Sequence, residues 1–335
     1  MLGVSGVSVN LGNSGRDLSP DDVGARVSVR HRASDGLTDV VGDLESLDAD
    51  RLAIRRSDGS GVVIEALAVV AARVVGPSAL SARELEEVAG RSWPAAEDAW
   101  LGRWWLRAAG GFTARANSVR PLGDPGRPFD DALAYVVGWY GERGLPAVIR
   151  VVSGSNVGVE LDRRGWSSVN ESVVQTVTVA RLRRLLGAYA GPAVVQSAPL
   201  PPTSWLLRYH GGTMSPLALQ VLTGAPAVVF ATIDGADPAA PAVAIGRAAI
   251  ELPWVAFAAI EVDPSARRQG HARAVMAAMT QSAASRGAVR ASLEVLANND
   301  AALALYASLG FTEHYRYTYR TPPGRARALR PGPFA

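Results

Sequence analysis

Residues 254 to 311 hold most of the side chains able to do chemistry. An apolar, strand-like run, Trp254 to Val262, leads through Asp263 and Pro264 into Arg267-Arg268-Gln269-Gly270-His271-Ala272, where a helical pattern opens. Gly270 lacks a Cβ, so backbone there can come close to an anion. The first turn of a helix adds unpaired N–H groups and the positive end of its dipole. Arg267 and Arg268 add attraction, or simply stand exposed. This combination suits a pyrophosphate and needs no lysine, and the sequence has none: all 34 basic side chains are arginine. Further on, Asn299 precedes the helical run DAALALYASLG and is an N-cap by type and place. Tyr306, one turn from Ala302 and three residues before Leu309, falls on the inward face of that helix, where its plain role is core packing. Three carboxylates sit on the neighbouring strand-like runs: Glu251, Glu261 and Glu294.

These residues form two ordered motifs, V-D-P-x-x-R-R-x-G-x-A at Val262 to Ala272 and N-x-x-A-x-x-x-Y-x-x-x-G-F at Asn299 to Phe311. In this the sequence resembles the GNAT N-acetyltransferase superfamily over residues ~190–322. The resemblance implies acetyl-CoA as co-substrate and no metal. It implies that backbone amides around Arg268, Gln269, Gly270, His271 and Ala272 bind the pyrophosphate with Arg267 and Arg268 adding attraction, and that the strand edge Ala259, Ile260, Glu261, Val262 pairs with the pantetheine arm. Asn299 resembles the asparagine that touches pantetheine, a role compatible with capping. Tyr306 resembles the phenol that protonates the departing thiolate, and a phenol with a pKa of ~10 is neutral and able to do so. Glu294, twelve residues before Tyr306, resembles the glutamate of the ribosomal-protein N-terminal acetyltransferases, which makes it the expected base. Glu261 and Glu251 are alternatives, and a solvent-facing strand glutamate is the plain reading of Glu294. Catalysis of this kind aligns an amine with a thioester and steadies an oxyanion, with the Val262 amide as the expected donor.

The elements that must position these residues follow the chain. Residues 1–22 read as a flexible tail. Residues 23–76 alternate in the strand manner in four runs, with an Asp58-Gly59 hairpin signal, and suggest a small barrel resembling the SH3-like modules. Its Arg26, Arg30, Arg32, Arg55 and Arg56 form either a basic binding face or a solvated one. Residues 80–182 run helix, two strands, the turn Gly123-Asp124-Pro125-Gly126-Arg127-Pro128, a helix capped at Asp130, a strand, a short helix and a strand. This is a degenerate GNAT-like unit, because two prolines and Asp124 spoil its counterpart of the anion loop. Arg115, Asn117 and Trp105 either line an acceptor cleft or serve turns and core. Residues 190–322 form the catalytic GNAT domain, with Tyr315, Tyr317 and Tyr319 on one face of the last strand, and 323–335 read as a disordered tail. The fold class expected is therefore α+β, a GNAT acyltransferase fold with a degenerate GNAT-like unit and an N-terminal SH3-like β-barrel.

Composition narrows the chemistry. At 335 residues, 48% hydrophobic and 19% charged, the chain can bury more than one core. The absence of cysteine and lysine removes disulfides, cysteine-ligated zinc, thiol catalysis, Schiff bases and the phosphate-loop NTPase motif. A net charge of +3 gives little reason to expect nucleic acid, with the barrel arginines the one route to it. No apolar run is long enough to span a membrane, and a cytoplasmic location is expected. The expected activity is N-acetyl transfer by direct attack in a ternary complex, onto a protein or peptide amine (N-terminus or lysine). A small-molecule amine, as in mycothiol-synthase-like enzymes, and a non-catalytic acyl-CoA-binding regulator are the alternatives.

Overall fold

The computed structural model describes residues 18, 22–34, 36–56, 58–75, 81–187, 194–212, 214–237 and 239–324. The chain divides into two units, Met1–Leu80 with Thr178–Leu185, and Ser81–Val177 with Leu186–Ala335. The expected tails 1–22 and 323–335 lie largely outside the described residues.

In the first unit, β1 (Arg26–Ala33), β2 (Gly36–Leu47), β3 (Arg51–Arg55), β4 (Gly61–Glu65) and β5 (Val69–Val74) form one antiparallel sheet in the order β4-β3-β2-β1-β5. There are five strands rather than four because a single helical turn at Ala66–Ala68 breaks the last run in two. Alternation sends Val27, Val29, Val40, Leu44, Leu52 and Ile54 into one core, which Leu18 helps to fill. Asp58 Oδ1 accepts from the Ser60 amide at 2.8 Å and Gly59 takes φ 85°, forming the foreseen turn. Two of the arginines read as a basic face are neutralised in place, Arg30 by Asp39 and Arg55 by Glu45.

The second unit runs α1 (Ala82–Ser92), β6 (Glu97–Leu101), β7 (Trp104–Ala108), β8 (Arg120–Pro121), α2 (Phe129–Gly141), β9 (Ile149–Val152), α3 (Asn156–Arg163) and β10 (Ser167–Thr178). After α4 (Val179–Gly187), which begins within the first unit, come β11 (Gln196–Ala198), α5 (Thr203–His210), α6 (Pro216–Thr223), β12 (Ala227–Ile233), β13 (Ala244–Glu251), β14 (Trp254–Val262), α7 (His271–Ser285), β15 (Arg290–Leu296), α8 (Asp300–Ser308) and β16 (Thr312–Thr321). The main sheet has the order β11-β12-β13-β14-β15-β10-β16-β9. The segments 80–182 and 190–322 thus share one sheet. The long strand β10 pairs with β16 from Ser167↔Thr321 to Thr176↔Thr312, and β16 in turn pairs with β9. The smaller sheet β6-β7-β8 meets β9 through a parallel bridge, Val119↔Ile149.

Local differences from the sequence reading have simple causes. α2 starts at Phe129 behind Pro128, so Asp130 lies inside the first turn rather than capping it. Asp130, Asp131 and Asp124 (which takes the Gly126 amide at 2.6 Å) place acid where the counterpart loop would need free amides. α5 went unforeseen because TSWLLRYH is short and mixed, yet its Trp205 and Tyr209 fill the core beside β12 and β13.

Gly42 of β2 has ordinary φ but no room: an added methyl would lie 2.3 Å from the Arg55 carbonyl oxygen of β3. Gly42→Ala is expected to destabilise the first unit by about 1–3 kcal/mol, read as a lowered denaturant midpoint for the barrel.

Candidate active site

The site is built around a gap in the main sheet. β14 and β15 run parallel and pair only from Trp254↔Arg290 to Phe257↔Leu293, although β14 continues to Val262 and β15 to Leu296. A bulge opens the gap: the β13–β14 register slips between Ile245 and Arg247, and opposite the slip Ala259 adopts φ 52°. Asp263 donates its amide to Val243 at 2.8 Å, so alternation along the strand turns the Val262 amide away from β13, into the gap.

Beyond the gap lies the foreseen loop. Gly270 is the N-cap of α7 at φ 87°, with Arg268 at φ 62° just before it. No side chain caps this helix and no acid stands in its first turn, so its leading amides and dipole face outward uncompensated. Asp263 braces the entry to the loop: its Oδ1 accepts from the Ser265 amide at 2.9 Å, and Arg208 pairs with its other oxygen. The Ser265 hydrogen bonds and Arg208 pull its carboxyl down to about 2. An open cleft of about 600 Å³ borders the loop, lined in part by Gln196, Asp234, Gly235, Val243, Gln269 and His271. These features fit a phosphate-bearing ligand whose extended arm adds to the open edge of β14.

α8 flanks the gap. Asn299 caps it, accepting from the Ala302 amide at 3.2 Å. Tyr306 is buried and its ring meets Phe311 edge-on, with centroids 5.9 Å apart. Burial pushes its phenol up to about 12 against the pull of Arg115, so it stays protonated at neutral pH.

The three carboxylates fare differently. Glu251 lies at the β13–β14 hairpin opposite Trp254, about 13 Å of strand from where the gap opens, and pairs with Arg91. Glu294 receives both terminal amino groups of Arg150 at 2.9 Å, the Tyr317 hydroxyl at 2.9 Å and the Nε of Arg115 at 3.0 Å. Burial alone would raise its pKa, but Arg150 and Arg115 outweigh it and hold the carboxyl well below the usual range. Glu294 therefore stays ionised with its lone pairs engaged. Glu261 has one oxygen buried without a hydrogen-bond partner, and burial lifts its carboxyl to about 7 despite Arg208 and Arg267. It sits opposite Ile245, on the face of the sheet that carries Arg247 and packs against α5.

Behind Glu294 stands a buried lattice. Arg150 also grips Glu86 of α1 through Nε at 2.9 Å and a terminal amino group at 2.6 Å, and Glu86 takes Arg120 at 2.5 Å and the Tyr315 hydroxyl at 2.5 Å. Arg150, Arg120 and Glu86 went unread because each partnership crosses more than thirty residues with no spacing pattern. Charged residues within the apolar run AVIRVV and on the buried face of α1 were the available signals. Arg115 does reach the gap, Asn117 holds the loop that carries it, and Trp105 instead stacks on Trp100 on the small sheet.

Comparison with known proteins places the chain in a family. Residues 80–320 match a family described as "Probable histone acetyltransferase Rv0428c C-terminal", and residues 21–73 match "Rv0428c N-terminal Sm-like domain". The chain is 29% identical over 310 residues (89% of it, 94% of the relative) to "Probable histone acetyltransferase Rv0428c" of Mycobacterium tuberculosis. It is 44% identical over 72 residues, 21% of the chain and 49% of the relative, to the "[Ribosomal protein bS18]-alanine N-acetyltransferase" of Escherichia coli. Among solved structures, a GCN5-related N-acetyltransferase from Kribbella flavida is similar in fold (TM-score 0.53, 19% identity, 74% of this chain and 97% of that one). So is a tandem GNAT protein from the clavulanic acid biosynthesis pathway (TM-score 0.51, 13% identity, 73% and 88%). No helix among the described residues is long and apolar enough to cross a membrane.

Glu294→Gln removes the charge that two arginines share. It is expected to cost about 3 kcal/mol or more and to lower the Tm by roughly 6–12 °C in thermal unfolding at pH 7. A carboxyl held low when folded stabilises above its ordinary pKa, so the wild-type advantage is present at neutral pH and shrinks as pH falls below about 4.

Proposed function

The chain belongs to the family described as "Probable histone acetyltransferase Rv0428c C-terminal", a GNAT-type N-acetyltransferase with an Sm-like N-terminal barrel, and from that premise we propose that it moves acetyl from acetyl-CoA directly to a peptide or protein amine at the β14–β15 gap. The observation that carries this reading is the gap itself, opened by the bulge at Ala259 and flanked by the uncapped start of α7. In this reading the amides of Gln269 to Ala272 hold the pyrophosphate, the edge Ala259–Val262 aligns the pantetheine arm, and Asn299 closes its far side. The thioester supplies an activated acyl carbon. The Val262 amide donates to the carbonyl oxygen as charge gathers there. As the C–N bond forms, the amine proton passes to Glu261, and as the C–S bond breaks, Tyr306 supplies a proton to the thiolate.

This assigns the base to Glu261 in place of Glu294. A base must be free to take a proton near neutral pH; Glu261 has an unpartnered oxygen and a pKa of about 7, whereas Glu294 is pinned as an anion. A macromolecular acceptor is favoured by the activities that the relatives' names state and by the extra barrel, a module not needed for acyl transfer itself.

The test is steady-state acetylation of synthetic peptides, followed by release of CoA thiol. kcat/KM is expected to rise with pH through an apparent pKa of about 7, because the deprotonated form of Glu261 is the active one. Glu261→Gln should remove that limb and lower kcat about 100-fold, and Tyr306→Phe should lower kcat at least tenfold while leaving the fold intact. If Glu261→Gln keeps the limb and Glu294→Gln loses it, the base is Glu294.

A further inference from the structure

We propose that Arg115, carried by the segment between β7 and β8, selects the acceptor by binding a carboxylate beside the amine, so that preferred peptides carry Asp or Glu next to the acetylated residue. This rests on the acetyl-transfer reading above and adds the substrate class.

Arg115 is placed with unusual care. Its loop is fixed by Asn117, which is buried. The Asn117 Oδ1 accepts from the amides of Ala109 at 2.7 Å and Gly111 at 3.0 Å, and its Nδ2 donates to the carbonyls of Phe112 and Thr113, both at 2.8 Å. Within that loop Thr113 holds φ 57°, a conformation that costs a non-glycine residue energy and persists where surroundings enforce it. Arg107, buried, donates to the Arg115 carbonyl at 2.7 Å. The Arg115 guanidinium then lies 4.9 Å over the Trp93 ring, with Nε 3.0 Å from Glu294, leaving the side chain 13% exposed. Its two terminal amino groups donate to no described residue. They form one edge of a planar fork, the geometry that carboxylates take in bidentate fashion.

The charge balance around it favours an anion. Among the described residues, the carboxylates paired with Arg115, Arg120 and Arg150 are Glu86 and Glu294, and the nearby buried Arg107 and Arg247 hold backbone carbonyls. Arg115 pulls electrostatically on the Tyr306 phenol, so a group bound to Arg115 lies in the same field as the phenol. An ammonium flanked by arginine or lysine enters this field at a loss; one flanked by a carboxylate arrives already balanced.

Acetylation of three synthetic octapeptides that differ only at the second position (Asp, Asn or Arg) by the full-length protein tests this. Wild type is expected to favour Asp over Asn about tenfold in kcat/KM, chiefly through KM, and to disfavour Arg further. Arg115→Gln should collapse the Asp/Asn ratio towards one, and Arg115→Lys, which keeps charge but loses the fork, should retain only part of it. Acetylation of all three peptides without preference, or with preference for Arg, overturns the assignment and leaves the acetyl-transfer reading standing. No acetylation of any peptide overturns both. The wild-type comparison decides these outcomes even if a variant folds poorly.

Discussion

Arg150 is the charge on which the rest of the second unit depends. It is fully buried on β9, and it spans two carboxylates, Glu86 of α1 and Glu294 of β15. An isolated charge at that depth would be prohibitively unfavourable, so each member of the set is tolerable only while the others are in place. Strand β9 can join the far edge of the main sheet because Arg150 meets acid there, and β15 can hold an ionised glutamate beside the gap because β9 supplies the cation. The stacking of Arg150 on the Tyr317 ring at 3.3 Å and the Tyr315 hydroxyl bonded to Glu86 draw β16 into the same lattice. The segment without an anion loop of its own is therefore not a spent copy. It supplies Arg115 and Arg150, the positive half of the electrostatics on which Glu294 relies.

That lattice also separates two carboxylates on one face of the sheet. Glu294, with three donors and two neighbouring arginines, is locked as an anion. Glu261 is partly buried, has one oxygen unpartnered and feels Arg208 and Arg267 only weakly, so burial governs it and its proton is held near neutrality. Pairs of titratable groups pushed apart in this way divide structural from chemical work. Here Glu294, which resembles the family base, is held as an anion, while Glu261 at the strand end keeps its proton near neutrality.

This distinction marks what was legible in the sequence. The anion loop, the cap at Asn299 and the inward face of Tyr306 could be read because each depends on local spacing: a glycine before a helix, an asparagine three residues from the amide it accepts, a helical repeat. The nine other strand and helix runs of the C-terminal half followed the same logic, and α5 did not. The state of Glu294 could not be read, since it is set by Arg115 and Arg150, which stand 179 and 144 residues away in the chain. Nor could the shared sheet be read, because the order of elements in the two halves looks the same whether they stand apart or exchange strands. The aromatic face of β16 was visible as an alternation, but its partners were not.

Backbone strain shows where the fold concentrates its precision. Four non-glycine residues described here adopt positive φ, and three of them, Thr113, Ala259 and Arg268, lie respectively in the Arg115 loop, at the bulge and in the anion loop. Each costs on the order of 1–3 kcal/mol and survives only where its surroundings over-determine it. Asn117 meets that cost at Thr113 with four hydrogen bonds, the β13–β14 ladder on both sides of the slip does so at Ala259, and the braced Asp263 turn leads into Arg268. Glycine would fit all three angles at less strain but would also allow others. The strain is thus concentrated in the Arg115 loop, at the bulge and in the loop before α7, where the surrounding hydrogen bonds favour a single backbone path.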